Sequence, residues 1–139
     1  MIVSQQQHTA TKTKLKMLQD SLSAPPRKGV PEKFVQAALA QTRELMGEMQ
    51  AEIDEYETIT TSDPAQITVN SVEDLLVAPV RYRLASHISV ERFARTVGVG
   101  VRQIFRYEQE GYRNCSVPNL TKILERLNIR LYGHIAMDE

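Results

Sequence analysis

The sequence predicts a mainly α-helical protein with a long N-terminal helix, a compact domain of short helices and a C-terminal β-strand. Three observations support this fold class. Apolar residues recur every three or four positions between Val35 and Tyr56, as on one face of a long helix. Short helical patterns separated by glycine and polar residues follow between positions 89 and 127. Apolar and polar residues then alternate from Ile129 to Ile135, which is typical of a strand.

Length and composition limit the possible classes. A chain of 139 residues fits one small domain with an extension, and we expect a helical extension over 1–64 and a domain over 65–139. The sequence has no run of about 18 apolar residues, so no membrane-spanning helix is expected. Cys115 is the only cysteine, which excludes an internal disulfide and a cysteine-based zinc site. It fits a reducing compartment, and we expect a cytoplasmic protein.

The charges are unevenly distributed although the formal net charge is zero. Residues 32–63 contain eight acidic and two basic residues, whereas residues 81–113 contain seven arginines and three glutamates. Nucleic acid responds to such a local basic patch and not to the charge of the whole chain. Arginine also presents a fork of donors suited to phosphate and to guanine edges. The second segment is therefore a candidate nucleic-acid surface.

The N-terminal region predicts two helices. We expect residues 1–10 to lack ordered structure, residues 11–23 to form a short helix, and a long helix to run from Pro31 to about Tyr56. The apolar positions of the long helix follow a heptad seam: Val35, Leu39, Thr42, Met46, Met49, Ile53 and Tyr56. Its partner is the 11–23 helix, a second copy of the chain or another protein. Leu39, Met46 and Ile53 are the predicted dimer contacts.

The middle of the chain predicts a linker followed by a new domain. Residues 58–64 form a polar linker, and Ile67 to Val69 reads as a short strand. Ser71 is placed to cap a helix, with Asp74 three residues later as in a capping box. Pro79 predicts a break in that helix or the start of a new one.

Residues 89–108 contain a motif of two short helices joined by a tight turn. Ser89 is a favourable N-cap for a helix that runs to Thr96. Gly98 ends this helix and provides the turn. The second helix starts near Gly100 and buries Ile104 and Tyr107. This spacing is the layout of a helix-turn-helix.

On these residues and on the apolar positions of a closing helix, the segment 80–129 resembles the Cro/CI-type (Xre) helix-turn-helix domain. The carrying residues are Ser89, Phe93, Ala94, Gly98, Val99, Ile104, Tyr107, Glu108, Leu120, Leu124, Leu127, Asn128 and Ile129. The resemblance implies a bundle of four to five helices that binds a palindromic operator as a dimer, with the second motif helix in the major groove. Val90 replaces a glutamine that contacts phosphate in many members, and the loop 109–115 is about one residue longer than usual.

The second motif helix carries the side chains predicted to read DNA. Arg102 can bind guanine O6 and N7, and Gln103 can bind adenine N6 and N7. Val101 is placed for a thymine methyl, and Arg106 for a phosphate or a further base. Glu108 is acidic beside DNA, so we expect a structural role in an ion pair with an arginine of the domain. The predicted DNA-binding residues are Ser89, Gly100, Val101, Arg102, Gln103, Arg106, Arg113 and Asn114.

A C-terminal strand is predicted directly after the closing helix. The residues around this junction are similar to the end of the antitoxins of the Hip/Hig type, and in the Hip family a C-terminal strand pairs across the dimer. Ile129, Leu131 and Ile135 are therefore predicted dimerisation residues. The alternative partner is the segment Ile67 to Val69 of the same chain, because an edge strand needs a second strand.

The sequence favours a regulator of transcription and not an enzyme. It contains no metal-ligand spacing, phosphate-binding loop or catalytic triad, so we expect no catalytic residues, no metal and no cofactor. The first hypothesis is a homodimeric repressor that binds double-stranded DNA. The second is an antitoxin whose N-terminal region binds a toxin protein. A third is that the acidic helix covers the arginine patch of its own chain. No membrane partner is expected.

Overall fold

The structure is a computed structural model that describes residues 1–138, and this range contains six α-helices. Their bounds are α1 Gln5–Leu22, α2 Glu32–Thr60, α3 Val72–Ala85, α4 Val90–Val97, α5 Val101–Gln109 and α6 Val117–Arg126. The chain divides into two compact units, the first Met1–Ser62 and the second beginning at Asp63. No helix in this part of the chain is long and apolar enough to cross a bilayer.

The first unit is a hairpin of two antiparallel helices. The helix α1 begins earlier than predicted, because the hydroxyl of Ser4 accepts a hydrogen bond from the backbone N–H of Gln7 at 3.1 Å. His8 makes two contacts with α2 near the start of α1. Its ring stacks on that of Tyr56 with the ring centroids 4.7 Å apart, and its Nε2 lies 3.1 Å from Oε1 of Glu57. The prediction that residues 1–10 lack ordered structure is therefore wrong.

The heptad seam of α2 faces α1 of the same chain. Ile53 is 3% exposed and shares a surface groove with Leu15 of α1, whereas Leu39 and Met46 are half-buried. The prediction of Ile53 as a dimer contact needs correction, because its side chain lies in the core of the hairpin. A heptad pattern specifies that a helix has a helical partner, but it does not specify which one.

The second unit opens with α3, which is capped as the sequence predicts. The Ser71 hydroxyl accepts a hydrogen bond from the Asp74 N–H at 3.1 Å, and the Asp74 carboxylate accepts one from the Asn70 N–H at 3.0 Å. Pro79, however, lies buried in the interior of α3 and neither breaks nor starts a helix. A proline inside a helix has no N–H to donate to the backbone, which destabilises the helix. The burial of Val80 and Leu84 beside it offsets this loss.

The helices α3 to α6 enclose one apolar core. The helix α6 packs against both α3 and α4, and α4 packs against α5. Ser116 caps α6 by accepting a hydrogen bond from the Asn119 N–H at 3.2 Å, as predicted. The largest fully buried side chains come from each of these helices and from the loop before α6: Val80, Phe93, Val97, Ile104, Tyr112 and Ile123.

The structure contains no β-strand among residues 1–138, so both strand predictions are wrong for the single chain. Asn128 adopts a left-handed conformation at the end of α6, and the Ile129 N–H donates to the Leu124 carbonyl at 2.9 Å. Residues 129–138 then continue without regular secondary structure. The segments 64–69 and 127–131 line the same groove but do not form a ladder. A strand exists only when its backbone groups pair with a neighbour, which alternation alone cannot supply.

Candidate nucleic-acid interface

The turn between α4 and α5 is fixed by backbone geometry. Gly98 ends α4 with φ of +70°, in the left-handed region that glycine adopts without steric cost. The Val99 N–H donates to the Ala94 carbonyl at 3.1 Å, which closes the turn. Ser89 begins α4 by accepting a hydrogen bond from the Arg92 N–H at 3.1 Å. Both terminal signals of α4 are therefore as the sequence predicts.

The two helices of the motif meet through small and apolar side chains. Phe93, Ala94 and Val97 of α4 are at most 2% exposed, and Ile104 and Tyr107 of α5 are also buried. Ala94 is the smallest of these side chains. This packing determines which face of α5 is directed outward.

A buried ion pair joins α3 to the C-terminal end of α5. Arg83 binds Glu108 with two hydrogen bonds of 2.7 Å, from Nε to Oε2 and from Nη2 to Oε1. Nη1 of Arg83 also donates to the Ile88 carbonyl at 3.1 Å. Burial raises the pKa of Glu108 above its ordinary value, while the hydrogen bond and charge of Arg83 act in the opposite direction. The predicted structural role of Glu108 is confirmed.

The helix α6 supports the motif through two polar contacts. Nζ of Lys122 donates to the Gly98 carbonyl at 3.3 Å, at the exposed end of α4. Nδ2 of Asn119 donates to the hydroxyl of Tyr107 at 3.1 Å. These contacts fix the turn and the buried side of α5 to the rest of the unit.

The outward face of α5 is a stripe of four exposed side chains. Arg102, Phe105, Arg106 and Gln109 follow the spacing i, i+3, i+4 and i+7 of one helix face. Of the predicted readers, Arg102 and Arg106 lie on this face. Val101 and Gln103 are half-buried at its two edges.

The sequence reasoning missed two residues of this face, Phe105 and Gln109, and Phe105 is the apolar one. It is 49% exposed and follows directly after Ile104, which is fully buried. The available signal was its spacing, because position 105 falls outside the buried set of Ile104, Tyr107 and Glu108. An aromatic side chain is readily assigned to a core when only its apolar character is considered.

The N-terminus of α5 adds a positive electrostatic contribution to this face. Gly100 is the N-cap in an extended conformation and has no side chain to accept hydrogen bonds from the first N–H groups. The first turn also contains no acidic residue. Free N–H groups at the start of a helix attract anions such as phosphate. The predicted role of Gly100 is compatible with this placement.

The remaining predicted contacts flank α5. Arg113 and Asn114 are exposed in the loop after it, and Nδ2 of Asn114 donates to Glu110 at 3.0 Å. The loop is held by Tyr112, which is 0% exposed and has φ of +59°. Val90, at the position where the family often has a phosphate-binding glutamine, is only 8% exposed.

The surface charge of this region remains positive. Arg83 and Glu108 neutralise each other in the core, so neither contributes to the outer surface. Five arginines are exposed, against the exposed Glu91 and the half-buried Glu110. These arginines are Arg92, Arg95, Arg102, Arg106 and Arg113.

The helices α4 and α5 are short and are joined by a turn in which Gly98 adopts the left-handed conformation. With an exposed basic face on α5, this arrangement defines a helix-turn-helix DNA-binding domain. Residues 81–133 match the family model described as helix-turn-helix, and this segment belongs to the Cro/CI (Xre) type. This domain supports a DNA-binding regulator of transcription. No curated protein and no solved structure matches it.

Proposed function

We propose that this chain is a transcriptional repressor that binds a palindromic operator as a homodimer and reads it with α5. The observation that carries the proposal is the exposed pair Arg102 and Arg106, one helical turn apart on the outward face of α5. A guanidinium binds guanine O6 and N7 in the major groove, and each such contact discriminates by about 1–3 kcal/mol. Val101 and Gln103, at the two edges of this face, contact the base pairs nearest to the N-terminal end of α5.

Contacts with phosphates orient the domain on the duplex. Arg113 and Asn114 lie in the loop after α5, and Gly100 provides backbone N–H groups at its start. Ser89 caps the first turn of α4, and this turn is a further proposed phosphate contact. Contacts of this kind fix the register but carry no sequence information.

A second copy of the chain extends the reading to two half-sites. One recognition helix reaches only a few base pairs, and pairing two of them at one helical turn lengthens the operator. The C-terminal segment offers the contact: Ile129 is half-buried, while Leu131 and Ile135 are 56% and 97% exposed. Residues 129–135 keep their strand pattern, and beyond the Ile129 N–H, which binds the Leu124 carbonyl, we propose that their backbone pairs with the same segment of a partner.

The alternative is an antitoxin of the Hip/Hig type, which represses its operon and binds a toxin through the N-terminal hairpin. A specific feature favours this hypothesis: a groove of about 550 Å³ at the loop end of the hairpin. Leu22, Val30, Phe34 and Leu39 line it, and Phe34 is 57% exposed. The acidic surface of α2 suits a basic partner by charge complementarity.

The test of DNA reading is a selection of bound sequences from a random pool at one stated salt concentration, since phosphate contacts are strongly salt-dependent. The wild-type chain should enrich a palindrome. Arg102→Ala and Gln103→Ala should each relax one position of each half-site without unfolding the chain. Arg43→Ala, an exposed arginine of α2, is the matched control and should enrich the wild-type palindrome. Unchanged preference in Arg102→Ala would contradict the assignment.

The test of the hairpin compares the full chain with residues 63–139. Loss of the dimer on truncation assigns self-association to the hairpin, whereas tighter DNA binding supports covering of the arginine surface by α2. If DNA affinity and oligomeric state are both unchanged, the hairpin serves neither purpose and is available to bind another protein, as the antitoxin hypothesis requires.

A further inference from the structure

Phe105 is an exposed aromatic side chain in the middle of the recognition face. It is 49% exposed, whereas the other large apolar residues of α5, Ile104 and Tyr107, are 0% and 4% exposed. Leaving a phenylalanine in water gives up part of the roughly 1.5–3 kcal/mol that its burial would contribute. The exposed half of this side chain therefore adds nothing to the stability of the folded domain.

The residues next to Phe105 indicate which chemical groups a partner of this face must present. Val101 precedes it by one turn on the same side of the helix and is half-buried. Together Val101 and Phe105 form an apolar strip, and Arg102 and Arg106 form a parallel cationic strip beside it. A partner that fits α5 must therefore present apolar and acceptor groups side by side.

The major groove of DNA presents such a combination. The methyl group at C5 of thymine is its distinctive apolar feature, and guanine O6 and N7 are its paired acceptors. We propose that Phe105 is a specificity-determining residue that contacts a thymine methyl while the adjacent arginines bind guanine or phosphate. This inference rests on the proposed function, because it assigns one base of the operator that α5 reads.

The experiment uses the full chain and the operator obtained by selection. Each thymine is replaced in turn by deoxyuridine, which lacks only the methyl group, and affinity is measured at fixed salt. For the wild-type chain, one position in each half-site should lose about fourfold, the effect of one buried methyl group. Phe105→Ala should bind more weakly and show no further loss with deoxyuridine at that position.

A matched control separates this contact from general effects of removing an aromatic ring. Phe34→Ala removes a phenylalanine of similar exposure from the first unit and should retain the wild-type sensitivity to deoxyuridine. Because Phe105 is half exposed, Phe105→Ala should keep its helical circular dichroism and unfolding midpoint. If it does not, Phe105→Gln provides the second variant, with a polar side chain at the same place.

The outcomes distinguish this inference from the function on which it rests. If the wild-type chain enriches an operator but no deoxyuridine substitution weakens binding, the thymine contact is refuted and the operator reading stands. The same holds if Phe105→Ala responds to deoxyuridine as the wild type does. If Phe105→Ala loses self-association instead, the residue belongs to a protein contact. If no sequence is enriched, the proposed function fails and this inference fails with it.

Discussion

The Arg83 guanidinium and the Glu108 carboxylate form two hydrogen bonds of 2.7 Å in the core of the second unit. Both residues are nearly buried, at 5% and 7% exposure. Because Glu108 lies near the end of α5 and Arg83 on α3, their pairing fixes how the recognition helix projects from the domain. Arg83 also donates to the Ile88 carbonyl just before α4, so one side chain of α3 contacts both the end of α5 and the start of α4.

Removal of one partner should strongly destabilise the fold. Glu108→Ala leaves a buried guanidinium without its carboxylate, and we expect a loss of about 3–5 kcal/mol in the free energy of unfolding. Chemical denaturation measures it. Glu125→Ala, an exposed glutamate of α6, is the control and should change stability by less than about 0.5 kcal/mol.

The double variant Arg83→Met with Glu108→Leu should recover much of that loss, because apolar side chains of similar volume replace both charges. A Glu108→Ala variant as stable as the wild type would show that the pair is not needed to hold the domain together.

Two neighbouring tyrosines give opposite expectations for the same substitution. The hydroxyl of Tyr112 is buried and has no hydrogen-bond partner among the described residues, whereas that of Tyr107 accepts one from Asn119. Tyr112→Phe removes an unsatisfied polar group and should stabilise the fold by about 1 kcal/mol. Tyr107→Phe should destabilise it by about 1 kcal/mol. Equal shifts of both unfolding midpoints in one direction would contradict this interpretation.

The two glycines of the turn differ in what they contribute. Gly98 has φ of +70°, and a Cβ there would meet Lys122 only at ordinary contact distance, 3.8 Å. The cost of Gly98→Ala is therefore conformational, about 1–2 kcal/mol. Gly100 has φ of −61° and open space around a Cβ, so the cost of Gly100→Ala is only that of a poorer N-cap and should be smaller, below about 1 kcal/mol. A larger loss for Gly100→Ala than for Gly98→Ala would refute the assignment.

The features that the sequence predicted correctly depend on local chemistry. Ser71, Ser89 and Ser116 cap their helices because each hydroxyl reaches an N–H three residues later, and Gly98 ends α4 because it tolerates positive φ. These relationships are contained within a few residues.

The features that it missed depend on distant or absent partners. The side chain of Ile53 meets α1 across the hairpin, and Pro79 stays in α3 within a core built by other helices. The segment 129–135 has a strand pattern but no strand beside it in the single chain. Phe105 is a different case, since the spacing of the buried residues Ile104, Tyr107 and Glu108 already places position 105 outside the buried face of α5.

The last prediction concerns the dependence of DNA binding on salt. Arg113 is exposed in the loop beside α5 and is proposed to bind phosphate, so Arg113→Ala should weaken all sequences alike. The slope of log affinity against log salt should become shallower by about 0.9 per lost contact, and by about twice that in a dimer. Arg102→Ala should instead reduce discrimination at one base pair of each half-site by about 1–3 kcal/mol. Titrations of operator and scrambled DNA at several salt concentrations measure both quantities. If Arg113→Ala changed the preferred sequence and left the slope unaltered, Arg113 would be a reader of bases and the loop after α5 would enter the groove.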